Sequence, residues 1–454
     1  AVLGEAARRG IGVSTFVSAG SRADVSGNDL LQYWESDEHT DVVLMYLESF
    51  GNPRKFARLA RRLGRTKPIV AVNSAAGTVV AGLQTTSTPL PDDTARALFE
   101  RSGVIRVETV GDLFDVALLL TSQPLPSGGN VAVVGNSTAL AVLVRNACAA
   151  DGLSLVRIVD VGVDATPDEY GTALRDVVAD EGVDAVVAVF VPPLQPHSGD
   201  EVASAVREVA GVSGKPIVST FLGFEGVPES LAAGGASSPA PGSVPSYASP
   251  ERAVRALARA QRYSAWRQRP RSTVPELADI DLDAARELVE GVLAADPDGR
   301  ALTVDEAGRL LGCVGIVVSH EVPADSVAVV LGARDDPSFG ALSWFGIAGV
   351  ATELLGDRAY APVPLTTADA EELVRAPRAA PLLSGYGGSP PMDLLALQEL
   401  LLRLSALADA LPELAECTLD ALAAQIGAQV TAVSARLAPA SARADTGPRR
   451  LRGL

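Results

Sequence analysis

The chain has 454 residues, 47% of them hydrophobic, which is room for about three domains of roughly 150 residues with real cores. Its 38 basic residues against 55 acidic ones leave a formal charge of −17, which argues against nucleic acid or an anionic membrane surface as the main partner and favours solubility. Cys148, Cys313 and Cys417 lie apart without CxxC spacing, and neither a run of 18 apolar residues nor a signal peptide is present, so the expectation is a reduced cytoplasmic protein without a cysteine metal site.

The opening "AVLGEAARRG" begins without methionine inside an amphipathic pattern, which reads as a fragment with part of its site upstream. The apolar, β-branched runs "GVSTFVSAG" (12–20), "DVVLMYLES" (41–49) and "KPIVAVNS" (67–74) predict strands, with "NPRKFARLARRLGR" (52–65) helical between the last two. Such alternation predicts a parallel sheet covered on both faces. Helices over 92–103 and about 109–122 follow, and "TSQPLPSGG" is a linker. A second unit of the same kind runs through "NVAVVGNSTALAVLVRNACAADGLSLVRI" (130–158), "VDAVVAVFVPP" (183–193) and "KPIVSTFLG" (215–223). The recurring "KPIV" strand hints that the two units are related. A Gly/Ala/Ser/Pro-rich loop (224–248), a long Arg/Ala helix (249–268) and the linker "RPRSTVPELADID" (269–281) come next.

The last part differs. After a helix over 303–312, the runs "CVGIVVSH" (313–320) and "SVAVVLGAR" (326–334) predict two strands close in sequence. A glycine-punctuated strand pair (339–357), a helix (391–411) and a closing strand (428–437) complete an α+β piece. Only three of the 38 basic residues are lysines, Lys55, Lys67 and Lys215, so the C-terminal half lacks the lysine point charge that commonly holds phosphates.

Several segments, "FVSAGSRADVSGNDLLQYWESDEHTDVVLMYLESFGNPRKFARLAR", "SVPSYASPERAVRALA" and "DDPSFGALSWFGIAGVATELLGDRAYAPVPLTTADAEELVR" among them, resemble the NDP-forming acyl-CoA synthetases, also called ADP-forming acetate:CoA ligases, of the succinyl-CoA synthetase superfamily. The likeness covers nearly the whole chain. It is nearest the actinobacterial type in which such a region is fused to a GNAT acetyltransferase domain. The resemblance implies two flavodoxin-like doubly wound parallel-sheet domains, at 1–124 and 125–268, a linker and helix at 269–300, and a truncated α+β ATP-grasp domain at 301–454. It implies CoA, acyl-CoA, ATP or ADP and Mg as ligands. A GNAT acetyltransferase domain, a missing CoA-binding domain and a second copy of the chain are the partners implied.

In the family a phosphorylated histidine lies between the "KPIV" strand and the "ALF…GVIRV" helix, and counting back without gaps from "ALFERSGVIRV" (97–107) puts Gln84 at that position. A glutamine amide has no basic lone pair and cannot carry a phosphoryl group. Glu48 corresponds to the glutamate that holds the histidine ring, or is a plain solvent-facing carboxylate. Gly135, Asn136 and Ser137 in "VVGNSTAL" match a strand-to-helix turn that aims a helix N-terminus at the phosphate; Ser137 serves equally well as a simple cap. Thr138, Ala139 and Leu140 replace the family's small residues there. The magnesium motif survives as "ECTLDA", with Glu416 kept and Asp420 in place of asparagine: a weak hard-cation pair or ordinary surface acids. His39, His197 and His320 are scattered, with no triad or zinc spacing. Two functions follow from the resemblance: an acetate:CoA ligase-like region unable to turn over alone, or a catalytically inactive module sensing CoA, acyl-CoA or nucleotide for a GNAT lysine acetyltransferase.

Overall fold

A computed structural model describes residues 2–18, 25–47, 53–73, 99, 101–192, 199–222, 224–233, 240–270, 272–319, 321–323, 325–336 and 340–440. The chain divides into two compact units: the first holds most of the described residues up to Arg269, and the second holds those from Pro270 on together with residues 53–59.

The chain opens with α1 (Val2–Arg8), α2 (Gly27–Ser36), β1 (Val43–Leu47), α3 (Pro53–Leu63), β2 (Ile69–Asn73), β3 (Val104–Val107) and α4 (Val110–Ser122). The strands form a parallel sheet in the order β1-β2-β3. Ile69, Val70, Ala71 and Val72 are all buried, as a strand covered on both faces requires. The strand expected at 12–20 does not form over the described residues 12–18, which are exposed and pair with no ladder. β-branched composition makes a strand only where a neighbour accepts its backbone.

The second sheet is built from β4 (Asn130–Gly135), α5 (Thr138–Asp151), β5 (Ser154–Asp160), α6 (Pro167–Ala179), β6 (Ala185–Phe190), α7 (Gly199–Val212), β7 (Ile217–Phe221) and α8 (Pro250–Gln268). It is parallel, with the order β5-β4-β6-β7. Alternate strand residues feed two cores. Val131 and Val133 pack with Val144 of α5 and Leu257 of α8, whereas Ala132 and Val134 pack with Tyr170 and Leu174 of α6 and Val206 of α7. The strand order therefore reverses between β4 and β6, and that switch point is where open α/β sheets present a crevice.

The two halves of this unit repeat one device. Lys67, before β2, donates to the carbonyls of Trp34 (2.8 Å) and Asp37 at the end of α2. Lys215, before β7, donates to the carbonyl of Asp180 at the end of α6 (2.6 Å). In each half the next proline carbonyl accepts a neighbouring strand's N–H: Val43 to Pro68 at 2.9 Å and Val186 to Pro216 at 3.0 Å. The aspartates match as well, since Asp37 accepts the N–H of His39 and Asp180 that of Gly182, each two residues on. The sequence pattern behind this is "DEHTDVV" (37–43) against "DEGVDAV" (180–186). A cation at the carbonyl end of a helix satisfies orphan acceptors and meets the negative end of the helix dipole. Two of the three lysines are thus structural.

α8 joins the halves. Its Arg252, Arg255 and Arg259, spaced along one helix face, meet Asp115 (2.7 Å), Asp112 (3.7 Å) and Asp112 with Glu108 (3.1 Å to Asp112). Further along α8, Trp266 lies against Gly103, whose φ of +72° and 2.3 Å distance from an added Cβ to the indole leave no room for a side chain.

The second unit holds α9 (Leu282–Ala295), α10 (Val304–Gly312), β8 (Val327–Asp336), β9 (Gly340–Ile347), α11 (Val350–Leu355), β10 (Arg358–Pro362), α12 (Thr367–Arg375), α13 (Leu394–Ala410), β11 (Leu414–Ala423) and β12 (Ala428–Leu437). Its sheet is antiparallel, ordered β10-β9-β8-β11-β12. Leu397, Leu401, Leu404 and Leu407 form the helical stripe that buries α13 on Leu331, Phe345 and Leu419 of the sheet. Two expectations change here. The run 313–320 gives an isolated bridge, Val318 to Val430, because the chain turns at Gly315, where φ is +71° and Arg403 donates to the Val314 carbonyl at 2.8 Å. The region 339–357 gives one strand and then α11, a helix bracketed by Gly349 and Gly356, both at positive φ. Among the described residues no helix is long and apolar enough to cross a membrane.

Candidate functional site

The strand-to-helix turn after β4 sits at the switch point of the second sheet, and its residues divide the work. Gly135 leaves no room for a side chain between β4 and β6: a Cβ there would lie 2.7 Å from the Val189 carbonyl oxygen and 2.9 Å from its Cβ. Asn136 is buried at 5% exposure, and its side-chain amide pairs with the backbone of Val191, just past β6. Its Nδ2 donates to the Val191 carbonyl at 2.8 Å while its Oδ1 accepts the Val191 N–H at 2.8 Å. The amide therefore imitates one more rung of the ladder, spending one of its two N–H groups and one of its two oxygen lone pairs on Val191. Beneath it, the hydroxyl of Tyr170 donates between the carbonyls of Val134 (2.9 Å) and Val189 (3.0 Å), and complete burial pushes its pKa up.

Ser137 caps α5, its Oγ accepting the Leu140 N–H at a long 3.5 Å. Thr138 and Ala139 are exposed and lie in the first turn, whose N–H groups have no intrahelical acceptor and stand at the positive end of the helix dipole. One carboxylate already approaches this end. Asp160, at the end of β5, accepts from Thr138 Oγ1 at 3.4 Å and from the Gly162 N–H at 2.9 Å. Capping and anion binding are thus both open to this helix end, and the anion would meet backbone donors, the Thr138 hydroxyl and an exposed acidic neighbour.

Glu416 and Asp420 lie on β11, exposed on the same side of the strand with Thr418 between them. Four strand steps separate them by about 13 Å. The two carboxylates therefore do not converge on one ion, and among the described residues no three His, Cys, Asp or Glu groups come together as metal donors. Opposite Glu416 stand Arg334 of β8 and Arg436 of β12 as register partners. The same sheet face carries Trp344, stacked beneath the guanidinium of Arg358 at 4.6 Å, and Tyr360 beneath Arg334 at 5.6 Å.

Glu48 and Gln84 lie outside the described residues, as do His197 and His320. Glu48 follows Leu47, the last residue of β1, whose register partner is Asn73, the last residue of β2. His39 is accounted for by the turn it occupies after Asp37. Burial raises the thiol of Cys148 to about 11 and that of Cys417 to about 12, so neither supplies a thiolate at neutral pH. Sequence reasoning missed the clip made by Asn136 and the cap made by Lys215; the repeated Asp-Glu turn before each strand was the available signal.

Comparison with known proteins gives two domain matches: the succinyl-CoA ligase like flavodoxin domain over residues 1–120 and an ATP-grasp domain over residues 299–438. The ADP-forming acetate–CoA ligase I of Archaeoglobus fulgidus is 28% identical, over 92% of this chain and 73% of that protein. The ADP-forming 4-hydroxybutyrate–CoA ligase of Nitrosopumilus maritimus is 23% identical over the same shares. Among solved structures, the apo form of dinucleotide-forming acetyl-coenzyme A synthetase 1 from Ca. Korarchaeum cryptofilum shares the fold, with a TM-score of 0.50 at 24% identity. The match covers 59% of this chain and 62% of that one.

Proposed function

The chain is a homologue of the ADP-forming acetate–CoA ligases, carrying their succinyl-CoA ligase-like flavodoxin and ATP-grasp domains, and on that premise we propose that it is an acyl-CoA synthetase-lineage module that binds CoA or acyl-CoA but does not turn over by itself. The observation that carries this is the pairing of a relationship extending over 92% of the chain with a glutamine, Gln84, at the position the resemblance gives to the phosphorylated histidine. An amide cannot accept the phosphoryl group from an acyl phosphate or return it to a nucleotide.

Binding does not need that nucleophile. The first turn of α5 offers the N–H groups of Thr138 and Ala139 to a phosphate of the ligand, with Gly135 allowing the strand to reach the turn and Asn136 holding the neighbouring loop start. Bound CoA would supply the thiol on which acyl groups are carried. For magnesium the donors do not fit, since Glu416 and Asp420 stand too far apart along β11, and no step is derived through a metal.

Calorimetry with CoA and with acetyl-CoA tests this directly. The expected result is saturable heat with at least one of them, weakened tenfold or more in Thr138→Glu, which brings a carboxylate to the α5 N-terminus. Steady formation of acetyl-CoA and ADP from acetate, CoA and ATP would overturn the non-turnover claim, and silence with both CoA species would overturn the binding claim.

A further inference from the structure

Four charged side chains from four separate stretches of the first unit close into a ring. Arg9, at the end of α1, meets Asp115 of α4 at 2.5 Å; Asp115 takes a two-pronged contact from Arg252 of α8 at 2.7 and 2.8 Å. Arg252 in turn donates to Glu225, in the connection between β7 and α8, at 2.9 Å, and Glu225 returns to Arg9 at 3.3 Å. Arg9 and Asp115 are buried, with side-chain exposures of 8% and 4%, whereas Glu225 is half exposed at 45%. Glu5 gives Arg9 a further partner at 2.7 Å, and Tyr247 donates to the backbone carbonyl of Asp115 at 2.9 Å.

The ring is backed by apolar packing between the same stretches. Ala6 and Ile11 share a cluster with Phe114, Ala117 and Leu118 of α4 and with Val227 from the β7–α8 connection. Gly226, beside Glu225, has a φ of +91° and lies so close to Arg9 that a Cβ would stand 3.1 Å from its Cα. The N-terminal stretch and the β7–α8 connection therefore touch through backbone, apolar side chains and a shared carboxylate. Outside the ring, α1 is a seven-residue helix, and 224–227 is fixed by an isolated bridge of Gly226 to Ser246 and a bond from the Ser246 hydroxyl to the Phe224 carbonyl.

We propose that Arg9, Asp115, Glu225 and Arg252 form a latch that makes residues 5–11 and residues 224–232 open and close as one cooperative unit. Asp115 and Arg252 belong to long helices and form the fixed half. Arg9 and Glu225 belong to the two short stretches and form the movable half. Because Glu225 is the one exposed member, it is the point at which the latch opens first. Releasing it removes a partner from both arginines at once, so the loss is felt in the N-terminal stretch as well as in its own loop.

Hydrogen exchange followed by mass spectrometry on the full chain separates this from local fraying. In Glu225→Ala, peptides covering 5–11 and 224–232 are both expected to exchange about fivefold faster or more, while β4 and β6 keep their rates. Acceleration confined to 224–232, or none, overturns the latch. Arg9→Met, which keeps the apolar stem and removes the charge, supplies the reciprocal arm: both stretches accelerate if they are coupled, and a change restricted to 5–11 overturns the proposal.

Discussion

Two halves of the first unit are built on the same frame and finished differently. In both, a lysine caps the helix that precedes a strand, a proline carbonyl anchors the neighbouring strand, and an aspartate two residues back shapes the turn. The frame is therefore shared down to single hydrogen bonds. What differs is the sequence of the connections that the two sheets display. In the second half β4 is tied to β6 and to the backbone just past it at the switch point by the close approach at Gly135, the Asn136 clip and the Tyr170 hydroxyl. In the first half, the connection after β2 is the one to which the family resemblance assigns the phosphoryl-carrying residue. The repeat supports the sheet, and any chemistry is set by the connections it displays.

The difference is sharpest at Asn136. Asn136→Ala removes both hydrogen bonds and leaves the Val191 N–H and carbonyl unpaired, an expected loss of about 2–3 kcal/mol in urea unfolding. Gly135→Ala should cost a similar amount, about 1–3 kcal/mol, through contact with Val189. If Asn136→Ala unfolds at the parent midpoint, the clip does not hold the switch point together.

The shared frame is tested by its lysines. Lys67→Met and Lys215→Met keep the stems and delete the charges, and the expected losses are about 2 and about 1 kcal/mol, since Lys67 holds two carbonyls and Lys215 holds one. The reverse order in matched denaturation curves would break the comparison.

A smaller effect should appear in acid. Hydrogen bonds from the Thr40 hydroxyl to Asp37 and from the Gly182 N–H to Asp180 hold both carboxyls below their ordinary range. A depressed carboxylate adds stability above the unfolded value, about 3.9, and loses it as pH falls through the folded value. Replacing both with asparagine should lower thermal stability slightly at neutral pH, converge with the parent in strong acid, and so flatten the acid limb below about pH 4. An unaltered acid limb would show that the two turns contribute nothing through charge.

Much of this frame was legible because buried parallel strands are written as continuous apolar runs, as in "IVAVN" and "AVVAVF". The long α8 and α13 were equally plain from their spacing. Less legible were features that depend on a partner distant in sequence. Residues 12–18 have strand composition and no ladder; Val318 makes a bridge where a strand was expected. The pair Glu416 and Asp420 illustrates the same limit, since a spacing of four brings groups together on a helix and separates them by about 13 Å on a strand. The Asn136 clip was hidden for a similar reason: its partner is Val191, 55 residues away.

The central claim is that this chain keeps the ligase frame without the covalent relay. Incubation with ATP labelled at the γ-phosphate, followed by acid and base treatment of the separated chain, addresses it most directly. The account predicts no label that survives base and is lost in acid. Stoichiometric incorporation of such label, the signature of a phosphohistidine, would contradict it.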